Sequence, residues 1–451
     1  MARVERLLDT DPGAPGGGAF RQVVLDTGLR ILVESCPIPY TVAAALWFEA
    51  GSRHDGLATH GLAHLVEHVI LRRAAAQGQF GVELESMGAD IDATTERELT
   101  GFSIRALRED LPRVLGLLYN LVRAPSFTAS DVEKERAVVE QEIGLHEADG
   151  EAHVQELLAA RMFAGTPLDH PIAGDAKTVR RLGLADVRGF MAQWYRPARA
   201  TLVIAGDIDP ARTAAAAAEV FARWAHPAAA GTDPASGAVP VTAALSGPAH
   251  VFKPRALQEV HLCAGARGLH RDDPDQVALY ALSALLGEGM SSRLFLRARD
   301  REALAYSIYS YYNLFLETGC FAVYAATRPE AYAGALRLIA EEFAAIAAGA
   351  VAEDELALAR AKLRRNLLFN MEHVELRATR VVKEAVWNGR YYTIPELVRQ
   401  SDAITPHDVR RVAERLFSGM RLFVAGLGPL DAAAPGAVSL PGGARLELLP
   451  A

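Results

Sequence analysis

Cysteine is nearly absent from this sequence. Cys36, Cys263 and Cys320 are the three in 451 residues, and no two sit in Cys-x-x-Cys spacing. Thiols so few, odd in number and far apart exclude a disulfide framework and a thiolate zinc site. They fit a reducing compartment. Excess positive charge is missing too. Lys and Arg number 47 against 55 Asp and Glu, a formal net charge of −8, which argues against a nucleic-acid surface. No uninterrupted apolar run reaches the length of a membrane span. The opening residues hold no apolar core of signal-peptide length. These absences set the expectation of a soluble, cytoplasmic protein with neither a membrane nor a nucleic acid as partner.

Aromatic residues are also few, at 7%, in a chain that is 50% hydrophobic and rich in alanine. That composition belongs to a helix-rich globular protein and not to a disordered one. A chain of 451 residues is too long for one ordinary core, so two or more domains are expected. The stretch "HPAAAGTDPASGAVPVTAALSGPAH", His226 to His250, reads as a linker and splits the chain almost in half. The expected division is an N-terminal domain over 1–228, a linker over 229–250 and a C-terminal domain over 251–451.

The halves resemble each other at their ends. "ADVRGFMAQWYRPARATLVIAGDIDP" from Ala185 and "HDVRRVAERLFSGMRLFVAGLGPL" from His407 both read as an amphipathic helix, a turn and an apolar strand. The separation is far longer than a solenoid repeat, so a duplicated domain is the reading. Earlier in the chain, "QVVLDTGLRILVES" reads as a hairpin around Asp-Thr-Gly and "TVAAALWFEAGS" as a buried strand. "DIDATTERELTGFSIRA" alternates as a strand does, and "DLPRVLGLLYNLVRAP" is helical. The fold class is therefore α+β, two homologous α/β domains in which helices pack on a sheet.

The chemistry gathers in "HGLAHLVEHVILRRA". Taken as a helix over Leu57 to Arg73, the stretch puts Leu62, Leu65, Val66, Val69 and Ile70 on one apolar face. His60, His64, Glu67, His68 and Leu71 fall on the other. Imidazoles at i and i+4 can share one zinc ion, and a neighbouring carboxylate can accept a proton from the water such a metal activates. His64, Glu67 and His68 form H-x-x-E-H, the inverse of the better-known H-E-x-x-H. A lone motif of this kind is also found on helices that bind nothing. A catalytic zinc needs a third protein ligand, and "SDVEKERAVVEQEIGLHEADG" offers Glu142, with Glu135 two turns earlier on the same face. Ser130 and Glu133 carry a capping-box signature for the start of that helix. The bland reading is a solvated acidic helix. His60 stays a rival to His64.

"FEAGSRHDGLATHGLAHLVEHVI" resembles the opening of the inverzincin peptidases of the insulinase/pitrilysin family, the M16 peptidases, in their short two-domain form. "ERAVVEQEI" resembles the third-ligand helix of that family. The resemblance implies His64, His68 and Glu142 as zinc ligands, one Zn2+ per chain, Glu67 as general base and Glu135 as a supporting carboxylate. His60 lies outside the family's motif. "LLGEGMSSRLFLRARDREALAYSIYS" resembles a segment of the family's C-terminal domain, and implies that Arg299 and Tyr306 hydrogen-bond the substrate and its tetrahedral oxyanion. The C-terminal counterparts "DQVALYALSALLGEG" and "AEDELALARAKLRRNLLFNME" lack the histidines and the matching acids, so a single metal-binding half is expected.

Three places depart from the family. "LRRAAAQGQF" stands where most relatives carry a Phe-Lys-Gly-Thr type sequence. Asp92 stands where relatives usually place Asn, and Phe102 where they often place Tyr. The segment around Ala93 to Thr95, with Thr94 at its centre, resembles the family's edge strand, which takes substrate backbone by strand addition. Asp92 beside it would favour basic or N-terminal groups of a peptide. The implied activity is that of a zinc metalloendopeptidase cutting short unfolded peptides in a closed chamber, with dedicated leader removal as one form of that task. The implied partner is a second copy of the chain or a homologous chain. The alternative is a non-catalytic or partner-dependent subunit of a heterodimer.

Overall fold

The computed structural model describes residues 3–8, 19–76, 78–122, 127–224, 249–418, 422–430, 438–439 and 445–446. The stretch expected to be a linker lies outside them, apart from Ala249 and His250. The first half runs β1 (Arg3–Leu8), β2 (Phe20–Val24), β3 (Arg30–Ser35), β4 (Thr41–Phe48), α1 (Leu62–Ala76), α2 (Gln79–Met87), β5 (Asp90–Thr95) and β6 (Thr100–Leu107). It continues with α3 (Leu111–Val122), α4 (Ala129–Ala148), α5 (Gly150–Met162), α6 (Ala176–Val179), α7 (Leu184–Trp194), β7 (Ala200–Gly206) and α8 (Pro210–Phe221). The second half opens with β8 (His250–Pro254), β9 (Val260–Gly268), α9 (Gln276–Gly287), a π-helical turn over Phe295–Arg301, β10 (Ala305–Leu314) and β11 (Gly319–Thr327). Then come α10 (Tyr332–Ala347), α11 (Glu353–Asn370), α12 (Val374–Trp387), α13 (Ile394–Asp402), α14 (Pro406–Phe417) and β12 (Phe423–Gly428), with the two-residue pair β13 (Val438–Ser439) and β14 (Arg445–Leu446).

A seven-stranded sheet has the order β1-β2-β3-β7-β4-β6-β5, and a five-stranded sheet the order β10-β11-β9-β12-β8. The duplication is explicit in them. In the first, β3 and β7 are parallel, and β7–β4, β4–β6 and β6–β5 are antiparallel. In the second, β8–β12, β12–β9, β9–β11 and β11–β10 repeat those senses in the same order.

Strand β4 shows why the first sheet is sandwiched. Its run is apolar without alternation, as expected of a strand covered on both faces. Val42, Ala44, Leu46 and Phe48 enter a core shared with α1, α3 and α4, while Ala43, Ala45 and Trp47 enter a second core with Val374, Ala378, Val381 and Val382 of α12. The β2–β3 hairpin turns where Leu25 N donates to Leu29 O at 2.9 Å. Gly28 there has φ +87°, and a Cβ on it would lie 2.8 Å from Ala198. The segment "DIDATTERELTGFSIRA" is two strands and not one. The chain reverses at Glu96, whose N donates to Leu99 O at 2.7 Å. The turn holds no Gly or Pro, and alternation runs through both arms, so the pattern did not mark it.

The two compact units are not two continuous stretches of chain. One comprises Met1–Ile143, Pro171–Gly237 and Leu367–Leu397, and the other Gly144–His170, Ala238–Asn366 and Val398–Ala451. Helix α12 of the second half thus completes the first unit, and α5 of the first half completes the second. Each covers a sheet face that would otherwise expose apolar side chains. In the second unit Val154, Leu158 and Met162 of α5 share a core with Cys263, Ala322 and Tyr324 of the sheet.

Candidate metal centre

Helix α1 begins at Leu62 and not at Leu57. Gly61 precedes it with φ +89°, and a Cβ there would lie 2.5 Å from the Ala173 carbonyl oxygen, so the position requires glycine. The Asp55 carboxylate accepts from Gly61 N at 2.8 Å and Ala63 N at 2.9 Å, satisfying amides that the first turn leaves open. His60 therefore lies before the helix and does not share the face of His64, which corrects the reading of both on one helical face. Leu62, Leu65, Val66, Val69 and Ile70 are buried as their spacing predicts.

Helix α4 starts two residues earlier than its expected signature. Thr128 and Asp131 form the reciprocal cap, with Thr128 N donating to the Asp131 carboxylate at 2.9 Å and Asp131 N donating to Thr128 Oγ1 at 3.2 Å. Ser130 and Glu133 do not. Val132, Glu135, Val139 and Ile143 form the buried stripe of α4. This stripe presses the helix into the core of α1 and carries Glu135 inward.

Among the described residues, His64, His68 and Glu142 form the one group whose ligand atoms all lie within 4.8 Å of one another. Glu142 Oε2 is 3.3 Å from His68 Nε2 and 3.8 Å from His64 Nε2. Ligand atoms bound tetrahedrally to zinc at about 2.0–2.1 Å stand roughly 3.3 Å apart, so the spacing and the donor set, two imidazoles and a carboxylate, fit that ion. The other face of His68 is held as well. Its Nδ1 lies 3.3 Å from Glu135 Oε2, which favours the tautomer that leaves Nε2 free to ligate. Arg72 Nη1 donates to Glu135 Oε1 at 2.7 Å and fixes that carboxylate in turn.

Glu67 is 7% exposed and accepts a hydrogen bond of 2.5 Å from Thr95 Oγ1 at the end of β5. Burial pushes its carboxyl above the usual carboxylate range, against the pull of the Thr95 hydrogen bond and of His68. The charges of Glu142 and Asp92 push it the same way as burial. Glu67, His68, Leu71, Arg72, Ala75 and Glu135 line an open cavity of about 520 Å³. Next to it, β5 is the last strand of its sheet. Asp92, Ala93 and Thr94 pair on one side with Ser103, Phe102 and Gly101 of β6. Asp92 is exposed, and Ala93 and Thr94 are half-buried.

Arg299 and Tyr306 belong to the second unit. Arg299 lies in the π-helical turn with its guanidinium 5.0 Å from the Phe295 ring and 5.2 Å from the Tyr306 ring, and Tyr306 is 72% exposed. The pair is thus assembled with each other. Two side chains around the cluster are missing from the sequence reading, Asp55 and Arg72, and Thr95 enters it only as the end of the edge strand. Arg72 follows His68 at i+4, so helical projection alone could have placed it. Thr95 reaches Glu67 through sheet pairing and has no local signal.

The chain matches two family profiles: Insulinase (Peptidase family M16) over residues 30–176 and Peptidase M16 inactive domain over residues 181–363. A Mycobacterium tuberculosis protein named an uncharacterized zinc protease is 30% identical over 431 residues, 94% of this chain and 96% of that one. The beta subunit of the mitochondrial-processing peptidase of Rattus norvegicus is 25% identical, covering 90% of this chain and 84% of the relative. The crystal structure of a protease from Helicobacter pylori shares the fold at a TM-score of 0.82 and 19% identity, over 91% of this chain and 99% of that one. With both halves matched and relatives aligned nearly end to end, this chain belongs to the insulinase family, peptidase family M16.

Proposed function

We propose that the protein is a zinc metalloendopeptidase that cuts short, unfolded peptides. The observation that carries this reading is the convergence of His64, His68 and Glu142 beside a buried Glu67. Relatives named zinc proteases support it. His64, His68 and Glu142 would hold a zinc ion, which when bound would supply a Lewis acid able to acidify water and polarise a peptide carbonyl. Glu67 is placed to take a proton from the attacking water and to return it to the leaving amine. Glu135 keeps His68 oriented, and Arg72 keeps Glu135 in place. Asp92, Ala93 and Thr94 present the unpaired side of β5 to peptide backbone, which orients the scissile bond. Arg299 and Tyr306 donate hydrogen bonds to the substrate and the developing oxyanion, a role that rests on family resemblance.

Peptide is the partner in this reading, in a closed chamber formed with a second copy or a homologous chain, a part that rests on family resemblance. Three buried, free cysteines suit action in the cytoplasm. No helix among the described residues is long and apolar enough to cross a membrane. A second reading, activity that depends on a partner chain, is favoured by the rat relative, which is named as a subunit.

The test pairs wild type with Glu67→Gln. Bound metal is counted, and cleavage of an unstructured peptide library is followed by mass spectrometry. The expected outcome is about one zinc per chain in both, cleavage by wild type, and turnover reduced about 10²- to 10⁴-fold in the variant. Metal without cleavage in wild type would favour the partner-dependent reading. Absence of bound metal would end the peptidase reading.

A further inference from the structure

The hydrogen bond between β5 and α1 gives the candidate base a fixed orientation. Thr95 is the last residue of the edge strand and pairs with Thr100. It is buried, and its Oγ1 lies 2.5 Å from Glu67 Oε2. A hydroxyl donates one proton, and the carboxylate has two oxygens. Holding one oxygen leaves the other to take a proton, and it disfavours rotation of the group about its last bond.

The donor is itself held from several directions. The next residue, Glu96, accepts from Lys383 Nζ of α12 at 2.6 Å. Glu96 O accepts from Ser52 N at 3.1 Å, and Arg97 O from Arg53 N at 2.9 Å. Arg53 and Glu98 form a buried ion pair across the same turn. At the other end of the hairpin, Arg105 bridges Asp90 at 2.5 Å and Glu375 of α12 at 2.8 Å. A tip anchored by backbone bonds and ion pairs delivers the Thr95 hydroxyl to one place. The same strand carries Asp92, Ala93 and Thr94, so one rigid element presents the proposed peptide edge and steadies the base.

We propose that Thr95 is the positioning residue for Glu67, its hydroxyl fixing which carboxylate oxygen is free to accept the proton. This rests on the peptidase reading above. Threonine is matched to the task. Its β-branched form suits the strand, and its hydroxyl supplies the donor.

The test uses the full chain, metal-loaded, with Thr95→Val and Thr95→Ser. Valine keeps the shape and loses the hydroxyl, and serine keeps the hydroxyl. For Thr95→Val, kcat is expected to fall about 10- to 100-fold, as misplacement of a reacting group does, with KM, zinc content and melting temperature close to wild type. Thr95→Ser is expected to restore most of kcat. A crystal structure of Thr95→Val gives a readout independent of turnover, in which the Glu67 carboxylate is expected to rotate away from its wild-type position. The proposal is overturned if Thr95→Val keeps wild-type kcat, if its loss appears in KM or metal content, if serine does not rescue, or if the carboxylate stays in place. Should wild type cut no peptide, the peptidase reading falls by itself, and the carboxylate position in the variant still decides what Thr95 does.

Discussion

The two halves of the chain build the same sheet and use it differently. In each, a helix follows the matching strand, β4 or β9, and reaches toward the edge strand by a hydroxyl hydrogen bond. In the first half Thr95 of β5 donates to Glu67 of α1. In the second half Ser283 of α9 and Ser310 of β10 bond at 2.9 Å, both buried. The turns beyond the edge strands match as well, with Glu96 N to Leu99 O and Phe315 N to Thr318 O both at 2.7 Å. What differs is the helix face turned away from the core. Helix α1 keeps His64 and His68 half-buried beside a buried Glu67, whereas α9 is buried from Ala278 to Gly287 apart from Tyr280 and holds no histidine. Their entries differ too. Asp55 caps the amides before α1, while Asp275 before α9 is gripped by Arg411 and Arg415 of α14 at 2.6 and 2.7 Å. The comparison teaches that the sheet is indifferent to chemistry, and that the side chains of α1 together with Glu142 of α4 set the two halves apart.

The sharpest way to break the comparison is to remove a ligand from one half and a hydroxyl from the other. His68→Ala is expected to abolish tight zinc binding and cleavage together, because a lone imidazole and carboxylate remain. Ser283→Ala is expected to leave both unchanged, at a stability cost of about 1 kcal/mol for the lost buried hydrogen bond. Metal titration, peptide cleavage and denaturant unfolding of the two variants check this.

A smaller effect separates ligation from support. Glu135→Gln keeps the shape of the carboxylate that faces His68 and Arg72 but removes its charge. Zinc affinity is expected to drop about 10- to 100-fold by competition with a chelator, with the fold intact by circular dichroism.

The smallest expected effect concerns the second half alone. Hydrogen bonds from Arg411 and Arg415 hold the Asp275 carboxyl below the usual range despite burial. A depressed carboxylate pKa contributes stability above its unfolded value of about 3.9, and that contribution is lost as pH falls through the folded value. Arg411→Ala should therefore destabilise by about 1 kcal/mol or less at pH 7, since Arg411 is partly exposed. The gap to wild type should close at strongly acid pH. Urea unfolding at pH 7 and at pH 3 tests it, and a gap that widens in acid would show that the pair is not what anchors α9.

Much of the first half was legible because its signals are local. The i and i+4 histidines, the acids two turns apart on α4 and the unbroken apolar run of β4 each follow from helix or strand periodicity over a few residues. Errors arose where a tertiary contact replaced a local rule. Helix α1 starts late because Asp55 and a left-handed Gly61 set its first turn. Helix α4 is capped by Thr128 and Asp131, although Ser130 and Glu133 also carry the pattern. The β5–β6 reversal has no turn residue, since anchoring of Glu96 and Arg97 by Ser52 and Arg53 supplies what glycine otherwise would.

The sequence by itself determined the chemistry on offer: imidazoles at helical spacing, two acids on one face, few thiols and a duplicated pattern of strands and helices. Only the tertiary structure decided which of these groups meet. It set His60 aside, brought Glu142 to His64 and His68, placed Thr95 on Glu67 and Arg72 on Glu135, and sent α5 and α12 to cover each other's sheets. The physical reason is that periodicity fixes which way a side chain faces on its own element. Contact across elements depends on sheet register and on which apolar face each helix must bury, and both are settled only when the whole core closes.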